Sequence, residues 1–390
     1  MRGLKVGVVG GGIAGLAAAL FLCRRGHRVT LFEAAEQPTP VGPGLLLAPA
    51  ALAVLERLRL RATLERFGDP VGRVLGYTRD RRTVLDLRYA DLGPDVRALG
   101  VHRGTLFQTL YEALAAEPGA SIVHGVRVAA AQDADGGAVL VGADGARHGP
   151  FGLVAVADGM NSQLRGQVAA AATAEPARWG WLWGTAPDPA GAFSGVVRQV
   201  HDGARRMIAV VPAGRVPDDP GGPPLVTMVY SLRADRLPHW RDAGIPAWRR
   251  HVTDLWPAAG PLADHFGSPD DLRFAAWRDV RVADPVAGPV ALIGDAAHGM
   301  SPVTGQGAAV ALADAAALAD CVEAADDVAG ALAAYRAARA GPVAAAQRIA
   351  RRMAPACQGG GGVAPVLRDW LLGPACRAPL IGRRILRAAA

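Results

Sequence analysis

"VGVVGGGIAGLAAALFLC", residues 6–23, carries no charge along its whole length. Arg2 and Lys5 ahead of it supply the positive start of a secretion signal, and its apolar length approaches that of a spanning helix. The glycines decide against both readings. Gly10, Gly12 and Gly15 form G-x-G-x-x-G between a strand-like "LKVGVV" and a helix-like "LAAALFLCRRG". A second strand-like run, "HRVTLFE", follows and ends at Glu33, about 20 residues beyond the glycines, where a carboxylate meets a ribose hydroxyl. The three glycines serve different ends. Gly10 permits the tight turn, Gly12 lets backbone approach a pyrophosphate, and Gly15 lets the helix pack close to the strand. The pyrophosphate would lie at the helix N-terminus, where unpaired N–H groups and the dipole favour an anion. The stretch therefore reads as the start of an α/β dinucleotide-binding domain. No other segment has the pattern of a spanning helix.

The chain has 390 residues, enough for a sizeable core and two domains, one split by the other. Its formal charge of +7 arises from basic residues placed singly or in pairs, without a long run or an aromatic stripe, so nucleic acid is not an expected partner. Lys5 is the only lysine, which nearly excludes any mechanism that needs a catalytic lysine. Cys23, Cys321, Cys357 and Cys376 form no C-x-x-C and no pairing with histidine. They read as small core residues of a cytoplasmic protein without a metal.

Two later stretches carry chemistry. In "LVAVADGMNSQLR", residues 153–165, an apolar strand leads into Asp158-Gly159, Ser162 and Arg165. Ahead of it, Asp-Gly turns at Asp135-Gly136 and Asp144-Gly145 predict a small antiparallel meander. In "PVALIGDAAHGMSPVTGQGAAVALADAAALAD", a buried strand from Val290 to Ile293 ends in Gly294-Asp295. A loop with Pro302, Gly305 and Gly307 follows, and an alanine-rich helix begins near Gln306. Such strand ends are where open α/β sheets bind ligands. Asp295 is placed to accept from ribityl hydroxyls, and the helix N-terminus would favour an anionic reduced flavin.

With these motifs in order, the sequence resembles the group A flavoprotein monooxygenases, the para-hydroxybenzoate hydroxylase-like family. The G-x-G-x-x-G, the D-G-x-x-S-x-x-R and the G-D-A-A-H-x-x-x-P-x-x-G-x-G that closes on Asp314 all match, and "VHRGTLFQTL" resembles the family's arginine-bearing segment. One departure stands out: no arginine occurs between residues 34 and 56, where many members carry one before "VGPGLLLAP". The resemblance implies a Rossmann-like FAD-binding domain of glutathione-reductase type, an inserted mixed β-sheet substrate domain and C-terminal helices. The expected FAD-binding parts are 1–72, 97–178 and 276–325. The substrate parts are 73–96 and 179–275, and 326–390 is helical. It also implies that Gly12, Ile13, Ala14 and Glu33 hold the ADP half of FAD, with Arg103 near the pyrophosphate and Val128 at the adenine. Asp158 and Arg165 serve FAD and the pyridine nucleotide, Asp295 the ribityl chain, and Gly305, Gln306 and Gly307 the flavin ring.

The activity so implied is hydroxylation of an aromatic or heteroaromatic small molecule with O2 and NADPH or NADH, through a flavin C4a-hydroperoxide. No side chain is assigned a catalytic role, and His298 reads as a structural hydrogen-bonding residue. The pyridine nucleotide binds transiently, since no second G-x-G-x-x-G occurs. Arg206 and Tyr230, in "RRMIAVVPA" and "PLVTMVYSLR", and Pro302 are substrate-contact candidates. Arg206 falls on the face opposite Arg205. Trp181 and Trp183 in "WGWLWGT" resemble part of a halogenase motif, but halogenases need a lysine to carry the oxidised halide and the only one, Lys5, lies at the entry to the first strand, so the tryptophans read as core or pocket wall. Two alternatives remain, a geranylgeranyl-reductase-like flavin reductase and a non-catalytic flavin-binding protein. The tail "PVLRDWLLGPACRAPLIGRRILRAAA" reads as packing helices, without stable membrane insertion, in a monomer or homodimer.

Overall fold

The computed structural model describes residues 1–37, 42–359 and 363–377, together with Arg383 and Leu386. The opening stretch forms the strand Lys5–Val9, a turn with Gly10 at φ +101°, and the helix Ile13–Arg24. Every residue from Ile13 to Cys23 is buried, so its lack of charge follows from burial on all sides within the protein.

The strand sits inside a six-stranded sheet. Its order is Val286–Ala287, Val290–Leu292, Leu153–Val156, Lys5–Val9, Arg28–Phe32 and Ala120–Val123. All neighbours are parallel except the edge pair formed by Val286–Ala287. One face is covered by Ile13–Arg24, Arg103–Ala115 and Gly307–Ala324, whose Leu16, Leu20, Leu106, Leu110 and Leu318 share one core. The other face is covered by the meander Val128–Ala134, Gly137–Gly142 and Arg147–Phe151, with Phe151 and Leu140 packed against Val154 and Val156. Both turns of that meander lie at the expected Asp-Gly pairs. The sheet is apolar on both faces, which explains the near-continuous apolar runs of its strands. After Gly307–Ala324, the helix Val328–Cys357 packs alongside. The first half of the tail is helical, as expected: Val363–Leu367, Arg368–Leu372 and Gly373–Arg377 follow one another, and the last two pack on the strand Thr83–Arg88. Residues 378–382, 384–385 and 387–390 lie outside the described residues.

A second, seven-stranded sheet has the order Arg273–Arg281, Thr173–Pro187, Leu225–Arg233, Arg206–Gly214, Val196–Asp202, Arg73–Thr78 and Thr83–Arg88. It is antiparallel except where Val196–Asp202 meets Arg73–Thr78. The expected domain edges at 178/179 and 275/276 cut through two of its paired strands. Thr173 pairs with Arg281 and Trp183 with Arg273, so both strands belong whole to this sheet. A register shift between Pro176 and Gly180 breaks the alternation there, which hides the start of the first strand from a period-two reading.

Period-two alternation divides the second sheet cleanly. Leu182, Ile208, Val210, Met228 and Tyr230 face a helical cover, the kinked Leu237–Leu255 segment and the turns after it, and pack with Trp248, Trp256 and Phe266. Trp181, Trp183, Met207, Ala209 and Val229 form the opposite face. A small sheet of Leu45–Leu47, Ala98–Val101 and Asp69–Val71 joins the two large ones. The contact is close: a Cβ on Gly100 would stand 2.3 Å from the Pro212 carbonyl oxygen.

Candidate active site

The three motifs meet at the C-terminal ends of the parallel strands. Lys5–Val9 is flanked by Arg28–Phe32 on one side and by the much later Leu153–Val156 on the other, so the chain order reverses there and opens a crevice. A Cβ on Gly10 would lie 2.4 Å from the Ala157 carbonyl oxygen, and one on Gly15 would lie 1.9 Å from that of Gly10. These glycines are dictated by backbone crowding. Gly12 differs: a Cβ there meets nothing within 4 Å. Gly12 is also the N-cap of Ile13–Arg24, and no side chain caps that helix, which leaves its first-turn N–H groups facing open space. Ile13 and Ala14 form that first turn.

Glu33 is fixed at the end of the second strand. Its Oε2 accepts from the Gly11 N–H at 2.7 Å and its Oε1 from the Ala35 N–H at 2.8 Å. The Val126 N–H donates to the Glu33 carbonyl at 3.0 Å, which brings the segment leading to Val128 alongside. Arg103 opens the helix Arg103–Ala115, and its side chain lies against Gly42: a Cβ there would stand 2.2 Å from the Arg103 Cδ. Arg103 thus borders the segment whose family arginine is missing.

The middle and late motifs are tied together by Arg165, whose side chain is engaged by protein carbonyls. The residue is 6% exposed; Nε donates to the Ala296 carbonyl at 2.7 Å and Nη2 to that of Met160 at 2.9 Å. Burial pushes its pKa down, opposed by the Asp158 carboxylate. Arg165 therefore positions both loops. Asp158 accepts from the Gln163 N–H through Oδ2 at 3.1 Å, while its buried Oδ1 has no partner among the described residues. Asp295 stands half-buried at the start of the short helix Asp295–His298, and its carboxylate makes no hydrogen bond or ion pair among the described residues. Gly294, at φ +60°, lets this loop press on the first motif, since its Cβ would come 2.7 Å from the Ala14 Cβ. Further on, Gly305 takes a left-handed φ of +68°, and Cβ atoms on Gly305 and Gly307 would meet nothing within 4 Å. Gln306, buried between them, is the N-cap of Gly307–Ala324.

Asp314 anchors this loop. Its Oδ2 accepts from the Gly294 N–H at 2.8 Å and from His298 Nε2 at 2.5 Å, and its Oδ1 accepts from Arg339 Nε at 2.7 Å. Burial alone would push His298 down and Asp314 up; their mutual attraction, with Arg339 beside Asp314, holds His298 above and Asp314 below their ordinary values. His298 is 1% exposed and turned into this network. The sequence motif ends on Asp314 without revealing that it clamps the start of its own loop.

Opposite these strand ends stands the Trp181/Trp183 face of the second sheet. Its orientation is fixed by the Gly44 N–H, which donates to Thr227 Oγ1 at 2.6 Å from the segment that follows the first motif. Trp181 packs edge-on against Trp277 with centroids 6.1 Å apart. Trp181 Nε1 and Thr185 Oγ1 are buried without partners among the described residues. Arg206 and Tyr230 are not on this face. Arg206 Nη1 lies 2.9 Å from His251 Nε2, and Tyr230 packs edge-on against Trp248, both under the helical cover. Their placement depends on which face the helices cover, and alternation alone leaves that open. Pro302 begins the short turn Pro302–Thr304 and is half-buried.

The open backbone at Gly12, Gly305 and Gly307, the unpartnered Asp158 Oδ1 and the unengaged Asp295 carboxylate fit a long ligand with phosphates, hydroxyls and a flat ring. The sequence matches the family described as FAD binding domain over residues 3–348. The chain belongs to that family. Among its relatives, salicylate hydroxylase of Pseudomonas putida is 29% identical over 341 residues, covering 80% of this chain and 76% of the relative. FAD-dependent urate hydroxylase of Klebsiella pneumoniae is 28% identical over 361 residues, covering 86% of each. The crystal structure of Klebsiella pneumoniae HpxO with FAD and uric acid shares the fold, with a TM-score of 0.85 at 22% identity, over 99% of this chain and 96% of that one. As a member of this FAD-binding family, the protein is an FAD-dependent monooxygenase of the aromatic hydroxylase type. Among the described residues, no helix is long and apolar enough to cross a membrane.

Proposed function

We propose that this enzyme hydroxylates a small planar aromatic or heteroaromatic compound held between the strand ends of the first sheet and the Trp181/Trp183 face of the second. The observation that carries the reading is the composition of that face. Two tryptophans, Met207, Ala209 and Val229 make an apolar wall, and Trp181 Nε1 and Thr185 Oγ1 are two buried polar atoms with no partner among the described residues. Such a wall suits a flat ring with one or two polar substituents. The relatives' names support the same class, since salicylate and urate are both small ring compounds.

The parts of the chain then divide as follows. The layers within 1–72, 97–178 and 276–325 carry FAD, with the two crossing strands assigned to the substrate sheet. Gly10, Gly12, Ile13, Ala14 and Gly15 present the helix N-terminus to the pyrophosphate. Glu33 and the Val128 segment hold the adenosine end, and Arg103 supplies the positive charge beside the phosphates. Asp295 accepts from the ribityl hydroxyls, Asp158 serves the cofactor side of the crevice, and Gly305, Gln306 and Gly307 let backbone lie against the ring. FAD, when bound, supplies electron transfer from NAD(P)H and activation of O2. The protein's own residues orient the substrate ring, exclude water from it and keep Asp295 and Asp158 fixed through Arg165.

A screen of phenolic and N-heteroaromatic compounds tests the reading. A substrate should stimulate NAD(P)H oxidation and O2 consumption together and gain one oxygen in mass. Reduction of an alkene without O2 consumption, and no response to any ring compound, would favour a flavin reductase instead.

A further inference from the structure

The substrate sheet carries a cleft of about 790 Å³ on the side of its helical cover, opposite the Trp181/Trp183 face. That size falls in the range of roughly 300–1,000 Å³ typical of small-molecule sites. The helix Leu237–Leu255 is broken at Gly244, where φ is +73° and ψ 171°, and the break itself lines the cleft. Trp240 and Trp248 stand four residues either side of that break and line the cleft, with Tyr230 edge-on to Trp248 at 6.3 Å.

Two features point to a ligand. The first is charge: five arginines line the cleft against one carboxylate, Asp254. Arg205 is among them with Arg206 because it lies in the turn before the strand Arg206–Gly214, outside the alternation that would place it on the opposite face. Arg233 is held by Asp235 through a double contact at 3.0 and 2.6 Å, and Arg206 meets His251. Arg205, Arg236 and Arg250 make no ion pair or side-chain hydrogen bond among the described residues. Three unpaired guanidinium forks around one concavity form an anion-binding arrangement. The second is the wall: Trp240, Trp248 and Tyr230 bring three aromatic side chains to the cleft beside these arginines.

We propose that this cleft binds a planar aromatic anion, its ring against Trp240, Trp248 and Tyr230 and its anionic group on Arg205, Arg236 and Arg250. The site is separate from the one that holds the hydroxylated substrate. It lies on the same strands, since Tyr230 and Val229, like Ile208 and Met207, are successive residues pointing to opposite faces.

The test is calorimetric titration of the FAD-loaded full chain with naphthalene-2-sulfonate, 2-naphthol and inorganic phosphate. It is repeated on an Arg236→Gln/Arg250→Gln double variant and on Arg205→Gln. These arginines are exposed and unpaired, so the variants should keep the wild-type flavin spectrum and melting temperature. The expected result is saturable binding of the sulfonate that weakens about tenfold or more in the double variant, as loss of charge-assisted contacts predicts. The single variant should weaken it less, and phosphate and naphthol should bind far more weakly at the arginine-dependent site. Undiminished binding in the double variant, or no sulfonate binding at all, would overturn the proposal. Equal arginine-dependent binding of phosphate would reduce the cleft to an adventitious anion site, and equal binding of naphthol to an apolar patch; either also overturns it.

Discussion

Asp314 shows how much a single buried carboxylate can organise. It satisfies a backbone N–H, a histidine and an arginine at once, and the loop carrying Asp295 hangs from it. Replacing it with alanine strands Arg339 and His298, and the expected loss is about 3–5 kcal/mol in a denaturant melt, with weaker FAD retention. Asp314→Asn should cost less, because the amide oxygen still accepts, but it should drop the His298 pKa toward the low value that burial favours. A histidine-resolved NMR titration checks this. His201 makes the opposite case. Burial, together with Arg368, pushes it down to about 3, and Arg368 Nη1 donates to its Nδ1 at 3.2 Å. The folded state keeps this ring neutral while the unfolded chain protonates near 6.5, so the unfolded state binds more protons as pH falls. Its stabilising contribution is full above about pH 6.5 and is lost progressively toward about pH 3. His201→Gln should flatten the decline of stability in that window, measured as melting temperature against pH.

At the scale of elements, the first strand, turn and helix are legible in the sequence because their signal is local. A tight turn, a close helix and an acid at the next strand end each impose a residue type at a short, fixed spacing. The structure separates the glycines by what crowds them, which yields a paired test. Gly15→Ala drives a methyl into the Gly10 carbonyl and should destabilise the fold itself. In Gly12→Ala the added methyl meets nothing within 4 Å among the described residues, so the apoprotein should melt like the wild-type apoprotein while losing FAD on purification. Loss of stability in Gly12→Ala with FAD retained would contradict its assignment to the pyrophosphate. Arg165 is less legible: a motif arginine reads alike whether it meets a ligand or, as here, the carbonyls of two loops. The Leu237–Leu255 segment carries no clear sequence signal of its own, with Gly244 and Pro246 interrupting its helical period.

Across the whole molecule, two large sheets meet through a small third one, and each carries a hydrophobic core of its own. The alternation of the second sheet is plain in the sequence. Which of its faces meets the cofactor layer depends on where the helices dock, information held in long-range contacts rather than in any strand. This is why Tyr230 and Arg206 stand out in the sequence yet lie under the helical cover, while Trp181 and Trp183 read there as core or pocket wall. Two substitutions probe the arrangement. Trp183→Ala should raise KM for the aromatic substrate about tenfold, in line with the loss of a large ring contact, with little change in FAD content. Thr227→Val removes the acceptor for the Gly44 N–H and should increase NAD(P)H oxidation that yields no product. The central claim, that the crevice between the sheets inserts oxygen from O2 into a ring, is tested most directly with isotopically labelled dioxygen and a substrate from the screen. One labelled oxygen atom per product molecule, at one NAD(P)H consumed, is the predicted result; product carrying oxygen from water, or no oxygen gained, would contradict it.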